Sequence, residues 1–154
     1  MFLLLLSIFL LAPCRVSAQY DTFAFNMSFF CGHAHQYTYD ITFNIRDENP
    51  DRPNREGAIA KNSGESNIGL TMVSVTGFYE KDVGRAPMWQ PVVEFKHTCT
   101  ADQAGYNTIV LAFPPTPAAR NKTRYGYRYF LNITDRKGSV VADAEVITEK
   151  PKSG

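Results

Sequence analysis

The sequence predicts an all-β fold, a two-sheet β-sandwich of seven or eight short strands. Three observations predict it. Apolar and aromatic residues recur at every second position in several separate runs, segments rich in proline, glycine and aspartate divide those runs, and no stretch keeps a long 3.6-residue apolar period. Aromatic residues make up 13% of the chain, which suits a core filled by rings from two facing sheets.

The first segment is a targeting signal rather than a strand. Met1 to Ala12, MFLLLLSIFLLA, is almost wholly apolar and stops at Pro13 and Cys14, short of the roughly 20 residues a membrane-spanning helix needs. Val16-Ser17-Ala18 then offers small side chains for a cut after Ala18. Only the Met1 amine supplies positive charge ahead of the apolar run. Residues 1–18 therefore read as a signal peptide and residues 19–154 as one secreted, extracellular domain with no transmembrane segment after cleavage. Cys14 would leave with the signal. Cys31 and Cys99 would remain in an oxidising compartment, where two cysteines allow one intramolecular disulfide. Free thiols or an intermolecular bond are the alternatives.

The strands follow in order. Phe23, Phe25, Met27 and Phe29 alternate with Ala24, Asn26 and Ser28. Tyr37, Tyr39, Ile41, Phe43 and Ile45 share one face of the next run, with Thr38, Asp40, Thr42 and Asn44 on the other. Gly69 to Val75 and Thr76 to Tyr79 are less regular candidates. Val93, Phe95, His97 and Cys99 line up within Val92 to Cys99, and Tyr106 to Phe113 is a further β-rich run. Tyr125, Tyr127, Tyr129, Leu131 and Ile133 form another row, and Ser139 to Ile147 completes the set. Between them, Asp47 to Gly57 reads as a polar loop with two prolines. Phe113 to Pro117 cannot sustain a ladder, because proline has no amide donor. Asp135-Arg136-Lys137-Gly138 reads as a hairpin turn between the last two strands. A short helix around Lys81 to Trp89 is the one helical candidate.

Charge excludes some functions. The net charge is +1 with lysine and arginine scattered, so no basic face points to nucleic acid or an anionic membrane. Three tripeptides satisfy the N-glycosylation rule: Asn26-Met27-Ser28, Asn121-Lys122-Thr123 and Asn132-Ile133-Thr134. Asn26 and Asn132 fall on the polar faces of their strands, and Asn121 in a polar loop. His33, His35 and His97 are the candidate metal ligands. No carboxylate or thiolate shows ligand spacing with them, so no metal and no cofactor is expected. Phe30 and Phe130 stand on otherwise polar faces and could add contact area. The segments Cys31 to Gln36 and Asp47 to Asn67 are the expected recognition loops.

The order of several motifs resembles the transthyretin-like proteins of nematodes. Phe29-Phe30-Cys31 closes the first strand, and Ile41-Thr42-Phe43-Asn44-Ile45-Arg46 runs into acidic Asp47-Glu48. Thr76-Gly77-Phe78 follows, then Pro91-Val92-Val93-Glu94-Phe95-Lys96-His97-Thr98-Cys99, then a strand closing on Pro114. The likeness spans Phe23 to Pro115 and is looser beyond. Gly32-His33-Ala34-His35-Gln36 replaces a small-residue stretch, and a third cysteine after His-x-Cys is absent. The resemblance implies a secreted, non-enzymatic binding or bridging protein on a transthyretin-type sandwich. Its partner would be an unknown extracellular protein, a cell surface or a small apolar ligand. It also implies that the first strand and the last two share one sheet, whose outer face lines a ligand channel in the transthyretin tetramer. Glycans on Asn26 and Asn132 would obstruct that assembly, so a monomer or dimer is expected. A carrier of a small apolar ligand is the alternative. A secreted hydrolase akin to 5-hydroxyisourate hydrolase is less favoured, because the chain ends Lys150-Pro151-Lys152-Ser153-Gly154 where that enzyme has Tyr-Arg-Gly-Ser. An immunoglobulin-like sandwich also stays open. Against it, Trp89 lies far behind Cys31 and close to Cys99, whereas immunoglobulin domains keep that tryptophan close behind the first cysteine.

Overall fold

The computed structural model describes residues 20–33, 35–49, 52–67, 69–80, 88–102, 105–118 and 122–150. The signal peptide assigned to residues 1–18 and the acceptor Asn121 lie outside the described residues, as does most of the segment read as a short helix.

Among the described residues the chain forms ten strands and no helix. They are β1 (Tyr20–Phe30), β2 (Tyr37–Asn49), β3 (Arg52–Ser66), β4 (Leu70–Glu80) and β5 (Met88–His97), then β6 (Asn107–Ala112), β7 (Thr116–Pro117), β8 (Arg124–Asn132), β9 (Gly138–Val141) and β10 (Glu145–Glu149). One sheet has the order β10-β8-β1-β4. The other has β3-β2-β5-β6-β9, with β7 also paired to β5. The two sheets form the expected sandwich, with more strands than the expected seven or eight.

The alternating rows become the core because every second side chain of a ladder points to the same side. Phe23, Phe25, Met27 and Phe29 are at most 1% exposed, and so are Ile41, Phe43, Ile45, Val93 and Phe95. Rings from the two layers meet directly. Phe25 lies 4.8 Å from Phe43 and Phe29 lies 4.9 Å from Phe95, between ring centroids, while within its own sheet Phe25 stacks on Tyr127 at 5.2 Å. Burial pushes the Tyr127 phenol up to about 12, so it stays protonated and meets the Thr116 hydroxyl at 3.3 Å. Tyr125 donates from its hydroxyl to the Pro117 carbonyl.

Two ties join β1 of one sheet to β5 of the other, one at each end. Cys31, just beyond β1, is bonded to Cys99, just beyond β5, with the Cα atoms 6.0 Å apart. At the opposite end Asp21 accepts the Trp89 indole N–H through Oδ2 at 2.9 Å. Its Oδ1 accepts the Thr123 amide at 3.1 Å. Each tie spans 68 positions, so β1 and β5 run the same way across the core and are clamped at both ends.

Four expectations are corrected. Asp47 to Gly57 is not a loop, because β2 and β3 stay paired out to Asn49 and Arg52, with register shifts between Phe43 and Asn44 and between Asp47 and Glu48. β3 is an edge strand, and an edge needs hydrogen bonds on one side only, so Pro53 fits it. Gly69 to Val75 and Thr76 to Tyr79 are a single strand, β4, paired with β1 along its whole length. Met88 and Trp89 begin β5 rather than ending a helix, and they pair with Pro117 and Thr116 of the segment read as unable to form a ladder. Thr116 and its neighbour make only this two-residue pairing, and Pro114 and Pro115 stay out of the ladders.

The fourth correction concerns the chain end. Asp135 to Gly138 turns the chain, with Asp135 at φ 52° and Gly138 at φ 94°. It does not close a hairpin. β8 belongs to the four-stranded sheet, whereas β9 pairs in parallel with β6 in the other. Ser139 to Ile147 is therefore two strands. Buried Ala142 donates its amide to the Ala112 carbonyl at 2.8 Å, which holds the chain to β6 before it crosses back as β10 to pair with β8.

Candidate binding surface

The inner faces of the four-stranded sheet are filled by core, so its outer face is defined by what remains. In register across β4, β1 and β8, one row reads Leu70, Phe30, Asn132 and the next Met72, Ser28, Phe130. The following row reads Ser74, Asn26, Arg128, and Glu145 of β10 extends it. Four large apolar side chains thus surround Ser28: Leu70, Phe30, Met72 and Phe130. Met72 is 71% exposed and Phe130 59%. Phe78, further along β4, is exposed and meets the Tyr20 ring edge-on at 5.4 Å. Apolar side chains concentrated on a sheet face mark contact surface more strongly than scattered ones.

Polar groups divide this face. Arg128 and Glu145 approach to 3.5 Å, and Arg124 and Glu149 to 3.8 Å. Both pairs are solvent-exposed and contribute little to stability. Asn26 and Asn132 are both exposed on this same outer face. Asn26 Oδ1 accepts the Ser74 hydroxyl at 2.8 Å. Asn132 Oδ1 accepts both the amide and the hydroxyl of Thr134, at 3.1 and 2.8 Å. Thr123, the third residue of the Asn121 tripeptide, is 2% exposed.

The histidines gather at the disulfide end. His33 and His35 lie on a bend after β1, with rings stacked at 5.3 Å. His33 Nε2 meets Asp135 Oδ2 at 3.0 Å. Asp135 Oδ1 also accepts the Ala101 amide at 2.7 Å. The Ala101 amide and then His33 hold the Asp135 carboxyl below its ordinary value. His35 Nε2 is buried without a hydrogen-bond partner among the described residues. His97 is fully buried beside Cys99. It donates from Nε2 to the Arg136 carbonyl at 2.9 Å and accepts the Cys99 amide on Nδ1 at 3.2 Å. Those bonds fit the neutral ring, and burial lowers its pKa despite the nearby Arg136 carbonyl and Asp135. Among the described residues no three His, Cys, Asp or Glu side chains converge to hold a metal ion.

The expected recognition segments behave differently. Cys31 to Gln36 is pinned by the disulfide, by His33 and by the Gly32 amide donating to Thr134 Oγ1 at 2.8 Å. Asp47 to Asn67 is mostly strand. Sequence reasoning singled out Phe30 and Phe130 but missed Leu70 and Met72 beside them, because only the pairing of β4 with β1 brings them together. It also missed Asp21, an acidic residue in an apolar run, which is the one available signal for a buried acceptor.

No family model, no curated protein and no solved structure matches the chain. None of the described residues lies in a helix long and apolar enough to cross a membrane.

Proposed function

We propose that this chain is a secreted, non-enzymatic binding protein, a divergent member of the transthyretin-like family. It engages an extracellular or cell-surface protein through the β4 side of its four-stranded sheet. One observation carries this reading: the aromatic rows that could have lined a ligand cavity are packed ring against ring, Phe25 on Phe43 and Phe29 on Phe95 between the layers. The apolar residues left over, Leu70, Met72 and Phe78, lie exposed along one strand of the outer face. An interior carrier of a small apolar ligand would need those inner rings to part, at the cost of close packing. The Cys31–Cys99 bond suits an oxidising compartment. β1 shares its sheet with β8 and β10, whereas β9, the start of the run expected to join them, lies in the other sheet. Glycans on Asn26 and Asn132 would stand on that same face and keep sheet from stacking on sheet, which favours a monomer or dimer.

Site-specific photo-crosslinking tests the reading. A crosslinker at Met72 and a control crosslinker at Ser63 of β3 are each presented to the source organism's extracellular fluid and cell surfaces. The reading predicts a defined protein adduct from Met72 alone, abolished by Phe78→Asp. Equal adducts from both positions, or a small apolar molecule co-purifying in stoichiometric amount, would overturn it.

A further inference from the structure

Phe130 and Asn132 lie two positions apart on β8, so both project from the outer face, roughly 6.6 Å apart along the strand. Phe30 is the register partner of Asn132 on the parallel neighbour β1, roughly 4.8 Å away. The two residues therefore flank the acceptor on two sides, Phe30 38% and Phe130 59% exposed.

The geometry is set rather than loose. A Cβ at Gly69 would meet the Phe30 ring at 3.0 Å, so the bare backbone there makes room for that ring, while one at Gly32 would meet Thr134 Oγ1 at 3.2 Å. Asn132 is held through its oxygen, which takes the Thr134 amide and hydroxyl. Thr134 is in turn fixed by the Gly32 amide. The Asn132 amide nitrogen, the atom an N-linked glycan joins, takes no hydrogen bond among the described residues.

We propose that Phe30 and Phe130 form a platform for the first N-acetylglucosamine of an Asn132-linked glycan, so that the chain's own sugar covers this part of its apolar face. This inference rests on the secretory reading above. A hexosamine ring presents a face of C–H groups, which packs on the electron-rich face of an aromatic ring and removes apolar area from water. The side chains held two positions away and directly opposite meet that need. Asn26 lacks it: its outer-face neighbours are Ala24 and Ser28 on its own strand and Ser74 and Arg128 across it. The Asn132 glycan would take the β8 side of the face, away from Met72 and Phe78 on β4.

The test compares secreted wild type, Asn132→Gln, Phe130→Ala and the double variant, with glycans trimmed to a single N-acetylglucosamine. Asn132→Gln should lower Tm in the wild-type background by about 2–6 °C more than in the Phe130→Ala background, the value of an ordinary aromatic contact in a domain of this size. The lost Thr134 hydrogen bonds are common to both backgrounds, so the difference isolates the contact. The acetyl and ring protons of the sugar should be shifted upfield by the Phe rings, and Phe130→Ala should remove the shift. Equal Tm losses in both backgrounds with unshifted sugar protons would overturn the platform. Secreted protein with Asn132 unmodified would also overturn it and leave the secretory reading standing. Protein that stays in the cell with residues 1–18 attached would overturn the secretory reading itself.

Discussion

Removing the Asp21 carboxylate should unclamp one end of the sandwich. Asp21 is 1% exposed and Trp89 2%. The carboxylate accepts two buried donors, the Trp89 indole N–H at 2.9 Å and the Thr123 amide at 3.1 Å. In Asp21→Ala both donors lose their acceptor where water is scarce. Each orphaned donor costs about 1–3 kcal/mol, and relief from burying the acid offsets part of this. The expected loss is about 2–4 kcal/mol. Asp21→Asn keeps one acceptor and turns an N–H₂ group toward the other donor, so it should fall roughly midway between wild type and Asp21→Ala. The assay is urea unfolding followed by the fluorescence of Trp89, the only tryptophan in the chain. The midpoint should drop while the slope stays constant, because the surface exposed on unfolding is unchanged. A loss below about 0.5 kcal/mol for Asp21→Ala, the level of an ordinary surface substitution, would refute the clamp.

Other perturbations separate further parts of the account. Gly77→Ala should cost about 1–3 kcal/mol by overpacking, because the new Cβ would sit 2.6 Å from the Ile59 carbonyl oxygen, which is backbone of β3. Gly64→Ala should cost a similar amount, since its Cβ would meet the Tyr39 hydroxyl at 2.7 Å and ring carbon Cζ at 2.9 Å while that ring is held edge-on against Phe29 at 5.0 Å; denaturant midpoints of the two variants compare them directly. Replacing Cys31 and Cys99 together by alanine should cost about 4 kcal/mol, the loop-entropy value for a closure of 68 positions, read as a lower Tm without change of fold by circular dichroism. Stability should fall as pH drops below 6.5, because the unfolded chain protonates His97 before the folded protein does, and His97→Gln should flatten that slope. Asp135 adds a separate loss at lower pH: its stabilisation is present above 3.8 and disappears as pH falls through its depressed folded value.

What the sequence discloses here follows from the range of the interaction. A row such as Phe23, Phe25, Met27, Phe29 is legible because one strand carries the whole period, and burial of one face enforces it. β3 was hidden because an edge strand has one partner and tolerates polar residues and Pro53, so its composition resembles a loop. The split of Ser139 to Ile147 was hidden because both β9 and β10 satisfy the same alternation, and only the Ala142 amide bound to Ala112 shows where the chain changes sheets. The acceptor motifs at Asn26 and Asn132 are three-residue signals and needed no structure. Their surroundings did: Leu70 stands beside Phe30, and Phe30 beside Asn132, only through pairings between distant strands. The Asp21–Trp89 tie is of the same kind, a contact over 68 positions that no local pattern announces.

We propose that the chain acts outside the cell as a disulfide-closed binding domain whose interior holds no ligand. A native mass spectrum of protein secreted by eukaryotic cells, recorded before and after reduction, tests it most directly. The spectrum should show a monomer or dimer beginning at Gln19, carrying glycan mass and gaining two hydrogens per chain on reduction. A tetramer, a retained small apolar molecule, or a chain still bearing residues 1–18 would contradict it.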